Sequence, residues 1–167
     1  MTTQSQSMPV RLRRRAPRRV VLTSWIALCA AVGIVSALLV QPDSWYRNLA
    51  KPDWTPLEWV FPLVWLALYV MMGAAAARIT RSRHPDAAIA LSYFIVQLAL
   101  NAAWLPAFFR SRTVMVSLVA AITLWLAAAA TLWLFRQIDR RAALLFAPVA
   151  AWATFVLALA FEIWRLN

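Results

Sequence analysis

Five runs of predominantly apolar residues occupy positions 20–40, 59–79, 87–109, 113–135 and 142–164. Each has the ~20 residues that a helix rising 1.5 Å per residue needs to cross a hydrocarbon core of ~30 Å. The first, third and fourth carry no charged residue, and the last is uncharged from 142 to 161. The second carries only Arg78, one residue from its end, where a long side chain reaches the interface. The connections are short and hold Pro, Arg and Asp, so no soluble domain fits between the runs. The pattern predicts an all-α integral membrane protein, a bundle of five transmembrane helices formed by residues 20–167. A basic tail, residues 1–19, precedes it and is expected to be disordered. A loop over 41–58 separates the first two spans. The first run exceeds the ~7–15 apolar residues of a signal peptide and lacks a clear A-x-A site, so it is expected to stay as a mature helix.

Charge sets the expected orientation. Six arginines lie in the tail (Arg11, Arg13, Arg14, Arg15, Arg18 and Arg19), three at 78–83 and three at 136–141, which places twelve on one side of the membrane. The other side receives five, Arg47, Lys51, Arg110, Arg112 and Arg165. The Lys/Arg-rich side is normally cytoplasmic, so the N-terminus is expected inside and the C-terminus outside. The same distribution argues that the net charge of +11 serves topology and an anionic membrane face, and that nucleic acid is not the partner.

Composition narrows the chemistry. The chain is 63% hydrophobic, against roughly 45–50% in an ordinary soluble domain, and has only two glycines, too few for a glycine-rich phosphate loop. Cys29 is the sole cysteine and lies in an apolar run, which excludes an intrachain disulfide. His84 is the sole histidine, with no cysteine or second histidine to build a metal site and no credible Ser–His–Asp set. No conventional catalytic residue is found.

Ten tryptophans remain to be explained. Trp25, Trp59 and Trp164 lie near span ends, where belt anchoring accounts for them. Trp65 and Trp152 lie deeper. Phe61, Trp65, Leu68, Tyr69 and Met72 share one helical stripe of the second span. Pro148, Trp152, Phe155, Leu159 and Glu162 share one of the fifth. Tyr93, Gln97, Asn101, Trp104 and Phe108 do so on the third. Gln97 and Asn101 at membrane depth fit two readings equally, bonding between helices or contact with a ligand. Glu162 is expected to pair with Arg165. Small residues at Gly73 and Ala77, and at Ala127 and Ala130, predict close helix approach, with a homodimer face as an open alternative. The loop Trp45–Pro56 mixes aromatic, proline and charged residues, and either folds back as a lid over the bundle or rests on lipid headgroups.

These residues resemble the translocator protein / tryptophan-rich sensory protein family, also called the peripheral-type benzodiazepine receptor family. The matching pieces are Trp45-Tyr46, Leu49, Lys51-Pro52, Trp54, Pro56, Phe61-Pro62, Val64-Trp65, Leu68-Tyr69 and Met72-Gly73. The third span adds Gln97 to Asn101, Trp104, Pro106 and Phe108-Phe109. The fifth adds Leu144-Leu145, Pro148, Ala151-Trp152, Phe155 and Trp164-Arg165. The resemblance implies a five-helix bundle with a pocket open toward the first loop. It implies binding of porphyrins, protoporphyrin IX or haem, as ligands, with no obligatory cofactor. Its pocket residues correspond to Trp65, Trp152, Gln97, Asn101 and Trp104. Tyr69, Phe61 and Phe155 on the same stripes complete the expected site, and Trp54, Pro56, Lys51 and Trp45 the lid loop. At Phe161 and Glu162 the strict sterol-recognition pattern fails, so the resemblance favours porphyrin over sterol. The function expected is a membrane receptor or sensor for a flat tetrapyrrole in a bacterial cell membrane. The open alternatives are a porphyrin transporter and a light-dependent porphyrin-degrading enzyme, in which the ligand itself supplies the chemistry.

Overall fold

The computed structural model describes residues 16–39 and 44–167. The arginines of residues 11–15 in the basic tail, and the start of the first loop at 40–43, lie outside the described residues. All regular structure among the described residues is helical: α1 (Arg18–Leu38), the short α2 (Ser44–Asn48), α3 (Val60–Arg81), α4 (Ala87–Ser111), α5 (Val114–Ile138) and α6 (Arg140–Leu166). The five long helices are each long and apolar enough to cross a membrane. They exceed the apolar runs at several ends, since the polar flanks at Arg18, Arg110 and Arg140 continue the helix into the interface.

The helices form a closed ring. α1 packs on α3, α3 on α6, α6 on α5, α5 on α4, and α4 returns to α1, with α3 also touching α4 across the interior. The outside of the ring is apolar: Leu38 is 78% exposed, Trp133 61% and Ile34 60%. Exposed side chains of that kind around the whole bundle need a lipid solvent, because no water-facing domain presents so much contiguous apolar surface.

Small residues let the helices approach. Both glycines lie between α1 and α3. A Cβ on Gly73 would stand 2.6 Å from the Ile26 Cα, and one on Gly33 would run into the Tyr69 ring. Ala75, Ala76 and Ala77 are buried on α3, and Ala128 on α5. Trp25 belongs to this packing. Its Nε1 donates to Thr80 Oγ1 at 2.9 Å, and its ring meets Phe94 edge-on at 5.6 Å. Trp25 does more than anchor at the interface, since it ties α1 to α3 and α4, whereas Trp59 and Trp164 are exposed at helix ends.

Two halves of the interior differ. Toward the end bearing Arg18, Arg81 and Arg140, Phe94, Phe135 and Phe146 from α4, α5 and α6 are fully buried and meet one another at 5.5–6.1 Å. Asp139, the only residue between α5 and α6, stands at this end. Its carboxylate caps α6 by accepting from the Arg141 and Ala142 backbone N–H groups and also holds Arg78 of α3 at 2.7 Å. Burial raises the Asp139 pKa, but the Arg78 hydrogen bond, the two backbone N–H groups and the Arg78 charge together outweigh it and hold the carboxyl below its ordinary value. Toward the opposite end the interior is lined by Trp, Tyr and amide side chains.

Candidate functional site: an aromatic and amide-lined interior beneath the first loop

On α3, Phe61, Trp65 and Tyr69 follow one another at four-residue spacing and turn inward together. Trp65 stacks on Tyr69, with centroids 5.6 Å apart and planes at 28°. Tyr69 packs over Gly33 of α1 and donates from its hydroxyl to Asn101 Oδ1 of α4 at 2.8 Å. Facing them, Trp152 of α6 meets Phe61 edge-on at 5.9 Å and stacks on Phe155 at 4.9 Å. On α4, Trp104 lies parallel to Phe108, with centroids 6.1 Å apart. Pro106 and Pro148 interrupt the backbone ladders of α4 and α6 beside these residues. Each frees a carbonyl one turn back, which in a membrane has to be satisfied from within the protein.

The polar atoms of this wall are unusual. Gln97 is fully buried, and neither amide atom has a partner. Asn101 Nδ2, Trp104 Nε1 and Trp152 Nε1 are likewise buried and unpaired. A buried group left without a hydrogen bond costs ~1–3 kcal/mol, and more in lipid, where no water competes. Five such atoms lie on two helices of the ring, α4 and α6. Four are N–H donors and one, Gln97 Oε1, is an acceptor, so the wall suits a ligand that presents mainly acceptor atoms. The helix-bonding reading of Gln97 finds no bond to support it. For Asn101 it holds in part, since its Oδ1 accepts from Tyr69 while its Nδ2 stays unpaired. Tyr93, at the start of the same stripe, is 48% exposed and faces outward, because a helix drifts off a strict four-residue repeat.

The first loop lies across this end of the ring. Trp45 and Tyr46 of α2 rest on Phe108 of α4, at 5.4 and 5.8 Å, and Tyr46 also meets Phe109 at 5.4 Å. Further on, the Thr55 N–H and hydroxyl both bond the Pro52 carbonyl, forming a tight turn ahead of Pro56. That turn sets Trp54 against Phe155 of α6, edge-on at 5.8 Å. The loop thus bridges α4 and α6 over the interior. Lys51 is committed to the strap, with Nζ 4.3 Å above the Tyr46 ring. Burial, and then the Glu58 charge, push the Tyr46 phenol above its ordinary value. Asn167 was not anticipated from sequence: its amide bonds both the N–H and the carbonyl of Ala50, each at 3.0 Å. A terminal Asn carries no periodic signal, so only the fold reveals this clasp. Glu162 is held by Arg165, with Nη2 at 2.8 Å.

Other features lie apart from this wall. His84 is exposed in the connection between α3 and α4, beside Asp86. A groove of about 420 Å³ runs between α5 and α6 on the outer surface, where Trp125 Nε1 bonds Thr154 at 2.9 Å. A larger open cavity, about 850 Å³, lies at the arginine-rich end between the starts of α1 and α6.

Comparison with known proteins agrees with the architecture. The sequence pattern of the TspO/MBR family matches residues 25–165. The chain is 42% identical over 144 residues to the tryptophan-rich sensory protein of Cereibacter sphaeroides, covering 86% of this chain and 89% of that protein. It is 36% identical over 145 residues to protein CrtK of Rhodobacter capsulatus, covering 86% and 90% of the two chains. Against the human translocator protein it is 37% identical over 126 residues, covering 74% and 75%. With five spanning helices and a match across nearly its whole apolar length, the chain is a multi-pass membrane protein and belongs to the TspO/MBR family.

Proposed function

We propose that the chain is a membrane receptor for a flat tetrapyrrole, protoporphyrin IX or haem, taken into the interior between α3, α4 and α6 beneath the first loop. One observation carries the reading: a cluster of buried, unpaired amide and indole atoms at Gln97, Asn101, Trp104 and Trp152, set among the rings of Phe61, Trp65, Tyr69 and Phe155. A porphyrin offers the complement. Its plate supplies aromatic area to the tryptophans, worth ~0.5–1.5 kcal/mol per ring pair beyond burial. Its carboxylates supply acceptors to the N–H donors. The strap formed by Trp45, Lys51, Trp54 and Pro56 would cover the plate, and the charge asymmetry would place that strap on the outer face of the membrane.

A receptor is favoured over a conduit by the packing of Phe94, Phe135 and Phe146, which fill the interior at the other end. A light-driven oxidation of the bound porphyrin would take its oxidising equivalents from dissolved dioxygen, activated by the excited porphyrin itself, while Trp65 and Trp152 would hold the plate in place. Titrating the detergent-purified protein with protoporphyrin IX in the dark, while following tryptophan fluorescence, tests the reading. Saturable quenching at one porphyrin per chain is expected, and linear, unsaturable partition would overturn it. Illumination of the saturated complex then separates receptor from oxidase, since only an oxidase loses porphyrin absorbance faster than porphyrin in empty micelles.

A further inference from the structure

The open cavity at the arginine-rich end is chemically unlike the aromatic interior. α3 lies between the start of α1 and the start of α6, and the cavity of about 850 Å³ opens over it. Five arginines reach it, Arg18, Arg78, Arg81, Arg140 and Arg141, against the single carboxylate of Asp139. Asp139 is already committed to Arg78, with Nη2 at 2.7 Å and Nε at 2.9 Å. Four positive charges are left without an ion pair among the described residues. Ser82 also lines the cavity, and its hydroxyl is buried behind that lining with no partner. Beside the guanidinium groups the lining turns apolar, through Leu22, Ala77 and Leu145.

Five arginines around one open cavity, against one carboxylate, give it a positive potential that favours an anion. Guanidinium groups bind phosphate oxygens through paired N–H donors, a geometry that selects phosphate over a simple counterion. The apolar lining at the ends of membrane-spanning helices adds a place for acyl chain. We propose that this cavity is a binding site for the headgroup of an anionic phospholipid, its phosphate held by Arg18, Arg81 and the Arg140-Arg141 pair and its first chain segment laid against Leu22 and Leu145. Basic pockets between helix ends recognise acidic lipids in this way. The site is separate from the tetrapyrrole interior and does not depend on it.

The test uses the full-length protein in detergent, mixed with equal amounts of phosphatidylglycerol and phosphatidylcholine, with retained lipids counted by native mass spectrometry. One phosphatidylglycerol per chain is expected to survive, on the order of tenfold more often than phosphatidylcholine, and inorganic phosphate at millimolar concentration should not displace it. Arg18→Gln with Arg81→Gln should abolish the preference, and Arg18→Lys with Arg81→Lys should weaken it to an intermediate value, because the charge stays while the paired N–H donors are lost. The control pair Arg83→Gln and Arg136→Gln, at the same end but outside the cavity, should leave it intact. Equal retention of both lipids would overturn the proposal. So would an equal loss in the control pair, which would signify diffuse surface charge, or displacement by free phosphate, which would signify a small-anion site. If the glutamine pair fails to fold, a weakened preference in the lysine pair beside an intact one in the control pair still decides the matter, and equal preference in both would overturn the proposal.

Discussion

Tyr69 Oη donates to Asn101 Oδ1 at 2.8 Å, the one hydrogen bond between two buried side chains among the described residues. It joins α3 to α4 at the level where the interior changes from phenylalanine packing to the amide and indole wall. The bond also aims Asn101, leaving its Nδ2 as the free donor. Tyr69→Phe keeps the ring over Gly33 and removes only this donor. A loss of ~1–3 kcal/mol in stability is expected from the orphaned acceptor, together with weaker porphyrin binding as the Asn101 amide loses its orientation. Thermal unfolding in detergent and a dark titration check both. An unchanged unfolding midpoint would show that Asn101 finds another partner and does not need Tyr69.

The two glycines make distinguishable predictions. A Cβ at Gly73 meets the Ile26 backbone, 2.6 Å from Cα and 2.7 Å from N. Gly73→Ala must therefore push α1 from α3, at ~1–3 kcal/mol, against a helix-propensity gain of ~1 kcal/mol. Trimming the side chain with Ile26→Ala is not expected to rescue it. At Gly33 the obstacle is the Tyr69 ring, a side chain. Gly33→Ala combined with Tyr69→Ala should be less damaging than the sum of the two changes. Unfolding midpoints of the four single and two double variants give the comparison, and rescue of Gly73→Ala by Ile26→Ala would contradict the backbone contact.

Asp139 predicts an acid limb to stability. Its carboxyl is held below the ordinary value, so the folded state binds its proton less readily than the unfolded chain does. The stabilisation is complete above the unfolded value of ~3.9 and is lost as pH falls through the lower folded value. Little change is expected from pH 7 to 5, followed by a decline below about pH 4. Asp139→Ala should remove the α6 cap at ~0.5–2 kcal/mol and flatten that decline. Unfolding midpoints measured against pH for both proteins check it, and a parallel decline in the variant would assign the acid limb to other groups.

The loop clasp is the most exposed of these relationships. Asn167 bonds both backbone groups of Ala50, and Trp54 leans on Phe155. Asn167→Ala removes two bonds worth ~0.5–1.5 kcal/mol each, so porphyrin release is expected to quicken by about fivefold or more with little change in the dark association rate. Stopped-flow displacement measures it. An unchanged release rate would mean that the strap does not hold the ligand.

Much of this was legible before the fold. The five spans follow from apolar runs that nothing interrupts, and Glu162 with Arg165 from a three-residue spacing. The stripe of Phe61, Trp65 and Tyr69 is visible because a helix repeats nearly every fourth residue, and the same drift carries Tyr93 to the outside. Other features needed three dimensions. Trp25 reads as an interfacial anchor by position, yet its indole N–H finds Thr80, 55 residues away. Asp139 reads as a turn residue, and its bond to Arg78 joins residues separated by 61 positions. No local pattern encodes partners so distant. The unpaired state of Gln97 is equally invisible in sequence, because it depends on what the facing helices fail to supply.

The central claim is that the wall of Trp152 and its neighbours binds a flat tetrapyrrole, and two tryptophans test it directly. Trp152 faces the interior and meets Phe61 and Phe155, whereas Trp133 is 61% exposed on the lipid side. Dark titrations with protoporphyrin IX are made on Trp152→Leu and Trp133→Leu, each confirmed as folded and monodisperse, and followed by porphyrin absorbance so that loss of one indole does not bias the signal. Affinity reduced about tenfold or more in Trp152→Leu and unchanged in Trp133→Leu is the predicted result, since ~1.4 kcal/mol of lost ring contact and burial is a factor of ten. Equal affinities in the two variants would contradict the account and move the porphyrin to the lipid-facing surface.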